Sequence, residues 1–203
     1  MKGSDAARMR ELIAGADVVI LSMAGGLGVK DGKPYMDPVA YRDSYVGTAE
    51  GLSAALDAAP ALKQIIFCSS LNAYGDAHGV SPVTEATPPN AASPAAPVFV
   101  ETEQKLSALE GGGRRACNFR TGTIYGPGRE HRNELKHIAG KQIPFDGASD
   151  AMLIHRDDVV RAIVFAIEKG LSGLYNLFND IADNKQQFFA RVCEREGLEP
   201  VTW

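Results

Sequence analysis

Apolar positions along the chain alternate between two periods, and the alternation predicts most of its elements. From Asp5 to Ala14, Ala6, Met9, Leu12 and Ile13 recur at three- and four-residue spacing, which predicts an amphipathic helix stopped by Gly15. Asp17 to Met23 reads as a buried strand, and the glycines and Pro34 of the following stretch, Ala24 to Tyr35, predict a loop. Helical spacing returns from Pro38 to Ala59 through Tyr41, Tyr45, Leu52, Ala55 and Leu56, and ends at Pro60. Ile65, Ile66, Phe67 and Cys68 then form a β-branched and aromatic run of the length expected for a strand buried on both faces, with Ser69 and Ser70 at its carboxyl end. Strand, helix, strand in this order predicts a right-handed parallel crossover.

The second half repeats the alternation with more turn residues. Asp76 to Pro97 is proline-rich and polar and predicts a loop, and Val98 to Leu109 a helix ended by Gly111 to Gly113. A short strand is predicted at Ala116 to Phe119, running into the turn Tyr125-Gly126-Pro127-Gly128. A helix from Asn133 to Ala139, a strand or loop around Ile143 to Phe145, and a strand at Met152 to His155 come next. Asp157 to Lys169 is a helix with Val159, Val160, Ile163, Ala166 and Ile167 along one face, followed by a strand at Leu174 to Phe178 and a helix from Asn184 to Glu196. The implied class is α/β, one domain over residues 1–203, built on a doubly wound parallel sheet. In such sheets ligands bind outside the carboxyl ends of the strands, which places Ser69 and Ser70 where chemistry is expected.

Composition narrows the picture. The 203 residues are 45% apolar with a net charge of −4, so no basic surplus exists for nucleic acid. Cys68, Cys117 and Cys193 stand singly in apolar segments, which predicts buried thiols and a reducing, cytoplasm-like compartment, with no disulfide framework and no metal site. Val18 to Ala24 is too short to span a bilayer and follows a mixed-charge segment unlike a secretory signal, so neither a membrane span nor a leader is expected. His155 with Asp157 and Asp158 lacks a second histidine at ligand spacing, and the expectation is that an aspartate caps the helix that follows.

Ser69-Ser70, followed by Tyr74-Gly75 at the spacing Ser-Ser-x-x-x-Tyr-Gly, resembles the active-site serine strand of the extended short-chain dehydrogenase/reductase family, the NAD(P)-dependent nucleotide-sugar epimerases and dehydratases. Colinear pieces extend the resemblance over nearly the whole chain: ADVVILSMA, SYVGTAEGLSAAL, VTEATPP, RTGTIYGPGR, LIHRDDVVRAI and GLYNLFND. The resemblance implies NAD or NADP as cofactor, with Ala24, Gly25, Ser69, Ser70 and Thr123 on the cofactor side. It implies a nucleotide-sugar-like ligand near Glu85, Tyr125, Arg129 and His155. Ser70 reads as a remnant catalytic hydroxyl or as a strand-end cap, Arg120 and Arg129 as phosphate contacts or loop braces, and Tyr125 and Tyr175 as contact or packing.

Two departures from the family pattern govern the functional expectation. The family's Gly-x-x-Gly-x-x-Gly turn, which holds the cofactor pyrophosphate, has no counterpart; Gly25, Gly26 and Gly28 do not fit its spacing and read as an ordinary loop, with a rearranged phosphate loop as the other reading. On the strand order 3-2-1-4-5-6 the sequence starts just before strand four, so strands one to three are expected to be missing. That leaves Val18 to Leu21 as an apolar edge to be covered by a second copy, a partner chain or the Ala24 to Tyr35 loop. The family's Tyr-x-x-x-Lys pair, whose lysine lowers the tyrosine pKa and orients the nicotinamide ribose, falls on Ala95 and Phe99, and no tyrosine occurs between Tyr74 and Tyr125. The expectation is a degenerate or truncated member acting as a non-catalytic binding or structural subunit. The alternative is an atypical NAD(P)-dependent oxidoreductase or epimerase whose cofactor half lies in another segment or partner.

Overall fold

The computed structural model describes residues 3–30, 33–75, 83–90, 93–143, 146–180 and 183–203. Helix α1 (Ala6–Ile13) starts where the Asp5 carboxylate accepts from the Arg8 amide at 3.1 Å, and it leads into β1 (Val18–Leu21). The expected loop after β1 is instead an antiparallel hairpin, β2 (Leu27–Lys30) and β3 (Lys33–Met36). Asp37 caps α2 (Pro38–Arg42), the π-helical turn Asp43–Gly47 follows, and α3 (Thr48–Ala55) completes the segment expected as one helix. Next come β4 (Gln64–Ser70), the 3₁₀ turn Leu71–Tyr74 and α4 (Ala96–Ser107). Part of the predicted Asp76 to Pro97 loop, residues 76–82 and 91–92, lies outside the described residues, as do Pro144 and Phe145 of the predicted segment at Ile143.

The remaining elements are β5 (Arg115–Thr121), β6 (Thr123–Tyr125), α5 (His131–Leu135), β7 (Leu153–His155), α6 (Arg156–Lys169), β8 (Gly173–Leu177) and α7 (Lys185–Glu196). Helix α5 begins two residues earlier than the sequence pattern predicts and is shorter. Helix α6 ends on Gly170 at φ 58°, a left-handed cap that costs glycine no Cβ clash, and α7 opens with a capping box between Asn184 and Gln187.

The main sheet is parallel, in the order β1-β4-β5-β8. Its centre, β4, is buried on both faces because Ile65, Ile66 and Phe67 alternate between two helical layers. On one face Leu21, Ile65, Phe67 and Ala116 pack with Met9 and Ile13 of α1, Leu52 of α3 and Phe99 and Leu106 of α4. On the other, Ile66, Cys117 and Phe119 lie against Ala162, Ile163 and Ala166 of α6. Each fully buried large side chain contributes about 1.5–3 kcal/mol relative to exposure. A smaller lobe gathers β7, α5 and α7 around Leu135, Leu153, Phe188, Val192 and Cys193, and β6 pairs in parallel with β7. Among the described residues β1 pairs only with β4, and Ile20, which shares a face with its register partner Ile66, is 48% exposed.

Candidate functional site

The carboxyl ends of β1, β4 and β5 open into a cleft of about 1090 Å³ that runs between the main sheet and the small lobe. Ser22, Met23 and Ala24 line it beyond β1, Ser69 and Ser70 at the end of β4, and Thr123 just past β5. Alternation along β4 gives the two serines different tasks. Ser69 is 2% exposed, and its hydroxyl donates to Glu103 Oε1 at 2.6 Å. Ser70 is half-buried, and its Oγ accepts from the Asn72 amide at 3.1 Å, capping the 3₁₀ turn. That bond uses a lone pair of Ser70 Oγ and leaves its proton uncommitted.

Beneath the cleft lies a buried polar network. Arg120 Nε and Nη2 donate to the two oxygens of Glu103 at 3.0 and 2.6 Å, a bidentate pair joining β5 to α4. The guanidinium stacks over Tyr74 at 4.5 Å, the Tyr74 hydroxyl donates to Asn176 Oδ1 at 2.8 Å, and the Asn176 amide donates to Glu85 Oε1 at 2.7 Å. Burial alone would weaken the Arg120 cation, but the hydrogen bonds and charge of Glu103, joined by Tyr74, outweigh it and hold its pKa above the ordinary arginine value. Arg120 therefore spends its guanidinium on Glu103 and Tyr74, as a buried link between β5 and α4. Glu85 ties the loop after the serine strand to β8.

The opposite wall of the cleft is aromatic. Phe99, at the place where the resemblance puts the lysine, is 4% exposed and meets Tyr45 edge-on at 5.0 Å and Tyr41 at 6.1 Å. Tyr41 and Tyr45 also line the cleft, and the Tyr45 hydroxyl donates to the Met23 carbonyl at 3.0 Å. Burial pushes both phenols above the ordinary tyrosine range; Tyr45 adds to the rise of Tyr41, while the bond from Tyr41 partly offsets that of Tyr45. They are neutral at physiological pH. Neither was singled out as a site residue by sequence, because four-residue spacing of aromatics in a helix reads first as core.

From the small lobe Arg129, His131, Asp150 and Lys185 complete the lining. Of the expected cofactor-side residues, Ala24, Ser69, Ser70 and Thr123 line the cleft and Gly25 stands outside the lining; of the expected substrate-side residues, Arg129 lines it while Glu85, Tyr125 and His155 do not. Tyr125 packs between His131 at 4.5 Å and His155 at 5.2 Å and accepts from Asn179 Nδ2 at 3.2 Å. His155 Nδ1 itself accepts from the Asp157 amide at 3.2 Å, so the histidine, rather than an aspartate, caps α6. Among the described residues no group of three or more histidine, cysteine or acidic side chains stands together as a metal site, and no helix is long and apolar enough to cross a membrane.

The glycines after β1 have a packing role. A Cβ on Gly25 would meet Ser44 Oγ at 2.1 Å, and one on Gly26, which has φ 70°, would meet the Tyr41 backbone nitrogen at 2.3 Å. They let the strand exit lie against α2 and the π-helical turn.

A parallel α/β sheet with a cleft at its carboxyl edge and a small lobe beside it defines a Rossmann-like protein. Residues 2–177 match the model of the NAD dependent epimerase/dehydratase family, and the chain belongs to that family. It is similar to Protein YeeZ of Escherichia coli strain K12, with 33% identity over 140 residues, covering 68% of this chain and 48% of that protein. It is also similar to a 3-diazoavenalumate denitrifying reductase of Streptomyces sp, with 32% identity over 87 residues, covering 40% of this chain and 29% of that one. The chain thus spans about half the length of YeeZ. Among solved structures, MoeE5 in complex with UDP-glucose and NAD superposes with a TM-score of 0.75 at 21% identity, covering 98% of this chain and 69% of that one. The UDP-glucose 4-epimerase of Thermotoga maritima with UDP-glucose gives 0.76 at 23% identity, covering 100% and 70%. These similarities establish the fold shared with nucleotide-sugar epimerases and dehydratases.

Proposed function

We propose that this chain is a ligand-binding member of the family that does not carry out the family's oxidation of a hydroxyl. The observation that carries this reading is Phe99, buried among Tyr41 and Tyr45 where a lysine would be needed, with Ala95 where a tyrosine would be needed. A proton acceptor held by an adjacent cation is what deprotonation of a sugar hydroxyl demands, and the cleft wall offers phenyl and neutral phenol instead. The ligand we assign is nucleotide-sugar-like: the structural neighbours are bound to UDP-glucose, and Arg129 and Lys185 line this cleft as cations suited to a diphosphate. Ser70 contributes a donor to the ligand and no proton transfer. A reducing, cytoplasm-like compartment suits the thiols.

On this reading β1 takes the position of strand four of the doubly wound order. We assign the β1 edge to a second copy or a partner chain. A second reading, an atypical NAD(P)-dependent oxidoreductase completed by that partner, draws on the same open edge and on the 69% of MoeE5 that the chain covers. The test is to titrate the purified chain with UDP-glucose and then add NAD⁺. Saturable binding with no rise in reduced-nicotinamide absorbance is the expected result; turnover of the sugar nucleotide would establish the second reading.

A further inference from the structure

The cleft wall that lacks the Tyr-x-x-x-Lys pair carries another pair of hydroxyls. Tyr41 and Tyr45 come from α2 and the π-helical turn after it, an element that bears no family catalytic residue in the resemblance. π-Turns inserted in α-helices recur at functional sites, because the extra residue re-aims side chains at an energetic cost. Here the turn spans Asp43–Gly47 and contains Tyr45. The two rings lie 4.8 Å apart, braced edge-on by Phe99, and Phe67 meets Tyr45 from below at 6.4 Å. Their positions are therefore fixed by packing before any ligand arrives.

The hydrogen-bond valence of the pair selects what it recognises. The Tyr45 proton is committed to the Met23 carbonyl, and Met23 lines the cleft just beyond β1. The Tyr41 ring lies 4.8 Å from that of Tyr45 and lines the same cleft. A phenol that has given its proton away retains acceptor capacity on its oxygen, so Tyr45, a lining residue of the cleft, keeps an acceptor. Ser70, lining the same cleft with its own proton uncommitted, presents a donor. A donor and an acceptor within one cleft match the hydroxyls of a sugar ring, each of which both gives and takes a hydrogen bond.

We infer that Tyr41 and Tyr45 form a neutral hydroxyl-recognition site that holds a sugar ring of the ligand in the cleft, in place of the absent Tyr-x-x-x-Lys pair. This inference rests on the nucleotide-sugar reading of the cleft. The sugar is the hexose of a nucleotide sugar or the ribose of a nicotinamide nucleotide, which share the vicinal hydroxyls the pair would recognise.

Calorimetric titration of the unsubstituted chain, Tyr41→Phe and Tyr45→Phe with UDP-glucose, UDP and NADH tests it. Phenylalanine keeps the ring packing, and thermal unfolding of each variant checks that the fold is retained. Loss of one ligand hydrogen bond weakens binding about tenfold. Weakening of UDP-glucose with UDP unchanged assigns the site to the hexose; weakening of NADH alone assigns it to the ribose. Either result supports the inference. Unchanged affinities in both folded variants would overturn it and leave the nucleotide-sugar reading standing, and equal weakening of UDP and UDP-glucose would overturn it by placing the contact on the UDP part, outside the hexose and the nicotinamide nucleotide. Failure of the unsubstituted chain to bind any of the three would remove the reading of the cleft and the inference together. Should either variant unfold, the other carries the test, since each removes one hydroxyl of the same pair.

Discussion

Glu103 is a carboxylate with almost no access to water, and its two oxygens are shared by three donors, two from Arg120 and one from Ser69. Removing one partner of such a pair strands the other charge in the core. Glu103→Leu should therefore destabilise the chain by about 3–5 kcal/mol in urea unfolding, while Glu103→Leu with Arg120→Leu should recover most of that loss. The cysteines make a second test. Burial, with Cys68 adding to it, pushes the Cys117 thiol up to about 12, and burial also raises Cys68 against an opposing bond from Ser22. Above pH 9 the unfolded thiols ionise while the native Cys117 does not, so this contribution to stability is complete below pH 9 and is lost as pH rises toward 12. Unfolding midpoints measured across that range should fall, and Cys117→Ala should flatten the fall. Ser70 was legible in the sequence because an apolar strand running into two hydroxyls fixes where they stand. The fate of Arg120 was not, because its carboxylate lies on a helix 17 residues away and only the fold brings them together.

At the scale of elements, the setting of Phe99 decides what restoring the Tyr-x-x-x-Lys residues would do. Phe99 on α4 sits against Tyr41 and Tyr45, so Phe99→Lys puts a cation into a buried aromatic cluster. The prediction is that Ala95→Tyr with Phe99→Lys loses at least about 3 kcal/mol of stability and gains no oxidation of UDP-glucose, read by unfolding and by nicotinamide absorbance. Gly26→Ala should cost about 1–3 kcal/mol, because its φ is positive and the α2 backbone occupies the Cβ position. The strands and helices of the main sheet were legible from periodicity alone. The hairpin β2–β3 was not, since its glycines and Pro34 outweighed a signal that was present: Asp31-Gly32 between two short segments is a dipeptide favoured in two-residue hairpins. The π-turn left no trace, because one inserted residue does not disturb the spacing of Tyr41, Tyr45 and Leu52 enough to break a helical pattern.

For the whole molecule the governing feature is the open side of the sheet. β1 has no lysine, proline or bulge of the kind that protects an edge, its own Ile20 is exposed, and α6 leaves Val160 and Val164 exposed. Among the described residues the sheet order β1-β4-β5-β8 puts β1 at the margin. If the edge is an association surface, light scattering should give a mass above that of one chain for the unsubstituted protein and a single-chain mass for Ile20→Lys, with UDP-glucose binding intact in both. The small lobe was harder to read, because Lys185 and His131 reach the cleft from segments whose periodicity reports only the packing of Leu135, Phe188 and Val192. On the proposed function the cleft binds a nucleotide sugar without oxidising it. Stopped-flow mixing of the chain with UDP-glucose and NAD⁺ tests it most directly, following both the fluorescence of Trp203, which stacks on the cleft residue Phe189, and reduced-nicotinamide absorbance. A saturable fluorescence change with flat absorbance is the predicted result, and absorbance that rises with the fluorescence change would contradict it.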